Sequence, residues 1–342
     1  MTKISTKSVV LSLATIGVLT GCGTSVNLAK YKPATLDKSP NMPSKEVMIS
    51  TELPKVIIMN VDESNIEIAK KAQVGETIAV KVNSLLAEGK SVKILQRIDN
   101  KGINLLSKEV AAAQLAKEVG SDVGQADNLI TGKLSRASYD HQFQEAYSYQ
   151  VKTKEGTKTV HVPPSMVYKS CVNGNLKIYT LPNLDEVDSF EYDECANHST
   201  EVRSSSEVVE RNDGLVQSAA NQGADTVSYS LKNFFAKKGY IADKKVDGSD
   251  VIVQAYLGSK NGAKEGEDVE IYSLEDVTNN LTGETKKENV KIGTGKISNQ
   301  ITDSYSWVIV KEIDEGKKVQ AGDFIKIKYE EGFFSKAGKF LK

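Results

Sequence analysis

The chain has little of what most catalytic and metal centres are built from. Its 342 residues include three cysteines, three histidines and one tryptophan. His141, His161 and His198 are scattered, and none stands at zinc-ligand spacing with a cysteine pair. There is no Gly-x-x-x-x-Gly-Lys-Ser/Thr loop and no Gly-x-Ser-x-Gly elbow. Gly293-Thr294-Gly295 lacks the third glycine and the strand–helix setting of a dinucleotide site. Carboxylates such as Glu109 or the pair Asp185 and Glu186 suit solvated or capping positions as readily as a cleft. With no nucleophile–base constellation, the expectation is a non-enzymatic protein without metal or cofactor. An excess of either charge is missing too. There are 44 basic and 45 acidic residues and a net charge of −1, which gives no argument for a nucleic-acid partner. Beyond the first 21 residues no apolar run approaches the roughly 20 residues that a membrane-spanning helix needs.

The N-terminus is the most specific signal present. Lys3 and Lys7 form a basic region, Val9 to Thr20 a short apolar one, and Leu19-Thr20-Gly21-Cys22 closes it. The pattern resembles a bacterial lipoprotein signal, residues 1–21, with cleavage before Cys22 and acylation of that cysteine. The rival reading is an ordinary membrane anchor, but its apolar stretch of about 12 residues falls short of a span. Gly23 stands where an aspartate is often linked with inner-membrane retention, which favours an outer-membrane anchor facing the periplasm. Buried acyl chains contribute about 0.8 kcal/mol per CH2, enough for firm attachment with two or more. Assigning Cys22 to lipid leaves Cys171 and Cys195 as an even pair. An oxidising envelope compartment favours a disulfide between them over two free thiols.

Composition divides the remainder. Residues 22–53, rich in Lys, Ser, Thr and Pro, read as a flexible tether. Residues 54–143 alternate strand and helix signals. Val56–Met59 is a buried strand, Ile78, Val82, Leu85 and Leu86 make a helical stripe ended by Gly89, and Val92–Leu95 is a strand ending at Gln96-Arg97. A second helix carries Leu106, Val110 and Ala113, and Asn128–Gly132 returns as a strand. In residues 144–239, Tyr147, Tyr149 and Val151 alternate with polar residues and face a partner strand bearing Val160 and Val162. Pro163-Pro164 stops that strand. Leu176–Tyr179 is a further strand, Asp185 to Glu194 a hydrated acidic loop, and one long helix runs from Val216 to Phe234 with Gly239 at its end. Residues 240–342 hold five strand candidates, Val251–Gln254, Val269–Tyr272, Lys291–Ser298, Ser306–Val310 and Phe324–Tyr329, at a spacing that suggests a small barrel. Gly266-Glu267-Asp268 and Gly322-Asp323-Phe324 read as two strand starts, and Trp307 as a filler of the barrel core beside Val308 or Ile309. The predicted class is therefore α+β: an α/β sheet domain, a middle region of strands plus a long helix, and a C-terminal small β-barrel.

Five stretches carry a resemblance. Lys55–Met59, Val74–Leu86 and Val92–Arg97, with Glu109 and Ala126-Asp127-Asn128-Leu129-Ile130-Thr131-Gly132, are similar to the curli-secretion (CsgG-like) lipoprotein family. The segment Leu257–Val269 resembles one in the C-terminal domain of the flagellar H-ring assembly protein. The resemblance implies an envelope lipoprotein with protein partners, a homo-oligomeric ring, and scaffolding or assembly of a secretion or flagellum-associated complex. Its alternatives are a subunit of an outer-membrane secretion pore or an accessory activator of a cell-wall synthase. A pore needs strands of about 9–11 residues. The hairpin around Glu155 offers a shorter alternation crowded by Lys152, Lys154 and Lys158.

Overall fold

The computed structural model describes residues 24–50, 52–95, 126–153, 156–208, 210–279, 281 and 283–330. Its N-terminal stretch is not the flexible tether expected of residues 22–53. Residues 24–50 form a strap along the C-terminal barrel. A two-residue strand, β1 (Lys32–Pro33), pairs with Val246 and Lys245. The Val26 amide donates to Asn299 Oδ1 at 2.8 Å, and the Ala321 amide donates to the Asp37 carbonyl at 2.7 Å. A polar segment cannot bury its own apolar surface. This one borrows a core, because Val26, Leu28 and Tyr31 cover Ile252 and Trp307 on the barrel's outside. Helix α1 (Lys45–Ile49) ends the strap, with Ser44 accepting from the Val47 amide as its N-cap.

Beyond the strap, β2 (Lys55–Ile58) and β3 (Lys93–Ile94) join β4 (Asn128–Gln144), β7 (Ser165–Thr180) and β8 (Asp185–Glu201) in one sheet of order β3-β2-β4-β7-β8. β2 runs parallel to both neighbours, and β4, β7 and β8 form an antiparallel meander. Helices α2 (Glu67–Ala72), α3 (Val74–Gly89), α4 (Asp213–Thr226) and α5 (Ser228–Phe234) supply the cover. Ile78, Val82 and Leu86 of α3 and Val216, Ala219 and Ala220 of α4 share one core with Ile130, Val172, Leu176 and Ile178 of the sheet. The expected α3 stripe is buried throughout. β4 pairs along its length with β7, so residues 54–143 and 144–239 contribute to a single sheet and core. The expected helix with Leu106, Val110, Ala113 and Glu109, and the strand end at Gln96-Arg97, lie outside the described residues.

Two expectations in this layer fail for local reasons. The long helix to Phe234 is two helices, α4 and α5, that meet at Val227. Ser228 Oγ donates to the Asp225 carbonyl at 2.6 Å, occupying an acceptor the helical ladder needs next. Gly239 consequently opens a strand and closes no helix. The acidic run from Asp185 is β8 itself and no loop. Its alternate residues Phe190, Tyr192 and Ala196 reach the core, while Glu191 and Asp193 on the other parity face water.

The C-terminal barrel has six strands, one more than expected: β9 (Gly239–Asp247), β10 (Asp250–Ala255), β11 (Asp268–Thr278), β12 (Thr285–Ile301), β13 (Ser306–Ile313) and β14 (Phe324–Ile327). They run β9-β10-β13-β12-β11-β14, and Phe324 and Ile325 close the ring on Tyr240 and Gly239. β9 escapes a reading by pattern because only Gly239 and Ile241 of its nine residues are buried. Ile241, Val253, Val269, Ile271, Ile297, Val308 and Ile325 fill the interior. Trp307, one residue from Val308, points the other way and packs under the strap, not into the core where it was expected. Gly266 (φ +84°) and Gly322 (φ +94°) stand two residues before β11 and β14, and both take left-handed turns that favour glycine. The barrel meets the helical layer at Asn233. Its side-chain amide donates to the Tyr329 carbonyl at 2.9 Å, and its Oδ1 accepts from the Tyr329 amide at 2.8 Å.

Candidate interaction surface

The arm that leaves the sheet is built by two prolines. The last β4–β7 pair is Gln144↔Ser165, and the next ladder, between β5 (Tyr147–Thr153) and β6 (Gly156–Val162), starts at Tyr147↔Val162. Pro163 and Pro164 cannot donate to a ladder, so pairing lapses there. It resumes after a gap of two residues on each strand, in an unchanged register. The ribbon therefore continues the β4–β7 hairpin beyond the covered sheet. Residue parity is kept as well. Tyr139 and Phe143, which pack against the core, lead to Tyr147, Tyr149 and Val151, and Met166 and Tyr168 lead to Val162 and Val160.

The result is an amphipathic ribbon. Tyr147, Tyr149, Val151, Val160 and Val162 share one face, while Ser148, Gln150, Lys152, Thr157, Thr159 and His161 share the other. Tyr147, Tyr149 and Val151 are 47%, 48% and 39% exposed, and the two tyrosine rings stack at 6.1 Å. Aromatic rings held this way offer large contact area at low entropic cost, the make-up of an interface anchor. On the polar face Ser148 Oγ lies 2.7 Å from His161 Nδ1. The alternation of Tyr147, Tyr149 and Val151 was legible in the sequence, but its lack of cover was not.

Next to the arm, β8 forms the sheet's open edge, and its carboxylates discourage strand addition there. Glu186 is held by Lys177 at 2.7 Å, and Glu194 accepts from Thr226 Oγ1 at 2.6 Å. Cys171 of β7 and Cys195 of β8 sit directly opposite one another and are joined by a disulfide, Cα–Cα 4.0 Å. They lie on the sheet face away from α4, where no other apolar side chain of β8 flanks them.

The remaining sequence-level residues do not converge. Cys22 and Glu109 lie outside the described residues. His141 is near the Tyr168 ring at 6.2 Å, and His198 Nε2 lies 3.2 Å from Thr200 Oγ1. No group of three or more His, Cys, Asp or Glu is placed to hold a metal among the described residues. Of the two matches to the minimal glycosylation sequon, Asn197-His198-Ser199 sits on β8, and Asn280 and Thr282 of the other lie outside the described residues, with Leu281 between them almost fully exposed. No described helix is long and apolar enough to cross a membrane.

No family model matches the chain, and no curated protein matches it. Among solved structures, the chain is similar to the PelC dodecamer from Paraburkholderia phytofirmans at 12% identity, covering 58% of this chain and 96% of that one, with a TM-score of 0.26. A minor lipoprotein from Acinetobacter baumannii is similar at 7% identity over 53% of this chain and 92% of that one, with a TM-score of 0.24. Overlaps this shallow carry no argument about fold or function.

Proposed function

We propose that this protein is a non-catalytic envelope lipoprotein. Cys22 anchors it to the outer membrane, it faces the periplasm, and it serves as a scaffold or assembly factor for a secretion or flagellum-associated complex. The observation that carries this reading is the β5–β6 ribbon. Its apolar face is the uncovered continuation of a buried one, and an exposed stripe of tyrosine and valine on a projecting arm is a contact waiting for a protein surface. The lipoprotein signal supplies the address, and the absence of a nucleophile–base pair in the sequence supports a binding role. The test is the size of the membrane-extracted protein in neutral detergent, by light scattering followed by particle imaging. Discrete rings, or co-purification of envelope proteins with the chain, are expected. A strict monomer that captures no envelope component would sink the proposal.

A pore subunit is the second reading, and one observation favours it. β4 with β5, and β6 with β7, run in one register far beyond the 9–11 residues that a membrane-crossing strand needs. Against it stand Lys152 and Lys158 beside the turn, since basic residues facing lipid near the midplane cost roughly 2–4 kcal/mol. Stepwise conductance in planar bilayers would promote this reading. Clean extraction as a soluble protein after Cys22→Ala would remove it.

A further inference from the structure

The outer wall of the barrel beside α5 gathers more ammonium groups than its carboxylates neutralise. Register sets Lys326 of β14 opposite Glu270 of β11, and Lys291 of β12 opposite Tyr272. Glu270 is fully engaged. Lys291 Nζ donates to Oε1 at 2.8 Å, Lys328 stands 3.9 Å from the same oxygen, and the Tyr272 hydroxyl donates to Oε2 at 2.7 Å. Lys328 is also paired with Glu330. Lys238, Lys291, Lys326 and Lys328 thus gather around Glu270, Glu330 and Asp268, and each of these carboxylates is already paired with a lysine of the wall, Asp268 with Lys296.

Lys238 and Lys326 are the surplus. The Lys238 ammonium lies 4.5 Å over the Phe324 ring, and its hydrogen bond is a long one, 3.4 Å to Asn289 Oδ1. Lys326 Nζ donates to the Asn233 carbonyl at 3.0 Å. Neither reaches a carboxylate within ion-pair distance among the described residues. Each ammonium has three donors, so both have donors to spare. Burial lowers the pKa of both, and the charge of Lys238 lowers that of Lys326 further, with nearby Glu270 a smaller opposing effect. Phe324 and Tyr272, stacked at 5.4 Å, make the wall behind them rigid. Two half-buried like charges with no ion pair of their own are unfavourable, and an oxyanion between them would replace that repulsion with charge-assisted hydrogen bonds.

We infer that Lys238 and Lys326 form a binding site for a phosphate-class oxyanion at the seam between α5 and the barrel. The site is independent of the ribbon and of the scaffold reading. The test is calorimetric titration of the membrane-extracted, full chain in neutral detergent with inorganic phosphate at constant ionic strength, with chloride as the control. Phosphate is expected to bind and to raise the thermal midpoint where chloride does not. Lys238→Gln and Lys326→Gln should each weaken binding tenfold or more, and Lys326→Arg should retain it. Lys318→Gln, which removes an exposed lysine paired with Asp37 instead, should leave it unchanged. A parallel titration with monomeric dihexanoyl phosphatidylglycerol identifies the source. Tighter binding than inorganic phosphate assigns the site to a lipid headgroup, and equal or weaker binding assigns it to a free anion. Absence of phosphate-specific binding in the wild-type chain, or full affinity in both Lys→Gln variants, overturns the inference.

Discussion

Tyr192 shows how single residues set the packing of the sheet on its helix. Its ring is 2% exposed and slots between Gly174 of β7 and Gly223 of α4. A Cβ at Gly223 would stand 2.8 Å from the ring's Cδ2, and one at Gly174 would stand 2.6 Å from its hydroxyl. Gly223→Ala should therefore cost about 1–3 kcal/mol by overpacking, even though alanine is the better helix former. Urea denaturation read by circular dichroism checks this, and an unchanged midpoint would refute it. Asp323 is the second decisive residue. It is fully buried beside the β14 start, and its Oδ2 accepts from the Gln320 amide at 2.7 Å. Burial raises its pKa above the ordinary carboxylate value, with the Gln320 hydrogen bond a smaller opposing effect. The folded state thus holds this proton more tightly than the unfolded chain does. Its contribution is complete below the ordinary carboxylate pKa, about 4, and is lost as pH rises through the raised value. The stability of wild type relative to Asp323→Asn should accordingly fall as pH rises from about 4 through the raised value. Paired denaturation curves across that range measure it, and a constant difference would show that the carboxyl does not titrate.

The elements with the clearest separable roles are the strap and the β7–β8 hairpin. Val26 is buried against Trp307, the chain's single tryptophan, so fluorescence reports the strap alone. Burying a valine contributes about 1.5–3 kcal/mol. Val26→Asp should release the strap and red-shift the emission while the barrel's circular dichroism persists. Unshifted emission would mean that Trp307 is shielded by something else. The disulfide joins residues 24 apart in sequence across paired strands. The chain-entropy model allows up to about 3.5 kcal/mol for such a loop. Cys171→Ala with Cys195→Ala should lower the thermal midpoint within that limit, and free alkylation of both thiols in the unreduced wild type would refute the bond. Parts of these elements were legible beforehand. The α3 stripe and the stop at Pro163-Pro164 follow from spacing and from proline's missing N–H. β9 and the strap were not legible, because their residues bury apolar area only against distant partners such as Trp307 and Ile325.

For the whole molecule, the feature that matters is where cover ends. α4 lies over the β4–β7–β8 meander, with α5 packed beside it against α3, and nothing described lies over the ribbon that continues the meander. Exposed side chains that make no core contact contribute little to folding, typically within about 0.5 kcal/mol. Tyr147→Ser with Tyr149→Ser should therefore leave the unfolding midpoint nearly unchanged while abolishing assembly or partner capture. Loss of stability in step with loss of association would reassign the tyrosines to the fold, and retained association would move the contact elsewhere.

Features that depend on near neighbours in the chain could be read from residue order: the lipoprotein signal at Cys22 as an expectation, the buried faces of β2 and α3, the alternation of Tyr147, Tyr149 and Val151, and the glycine turns before β11 and β14. Each follows from local periodicity or backbone freedom. The tertiary structure alone decided what covers what. It laid the strap over Trp307, broke the helix at Val227, brought β14 onto β9, set Cys171 opposite Cys195, and left one end of a continuous apolar face bare. Those outcomes rest on contacts between residues far apart in the chain, and local pattern does not encode which distant surface will meet which.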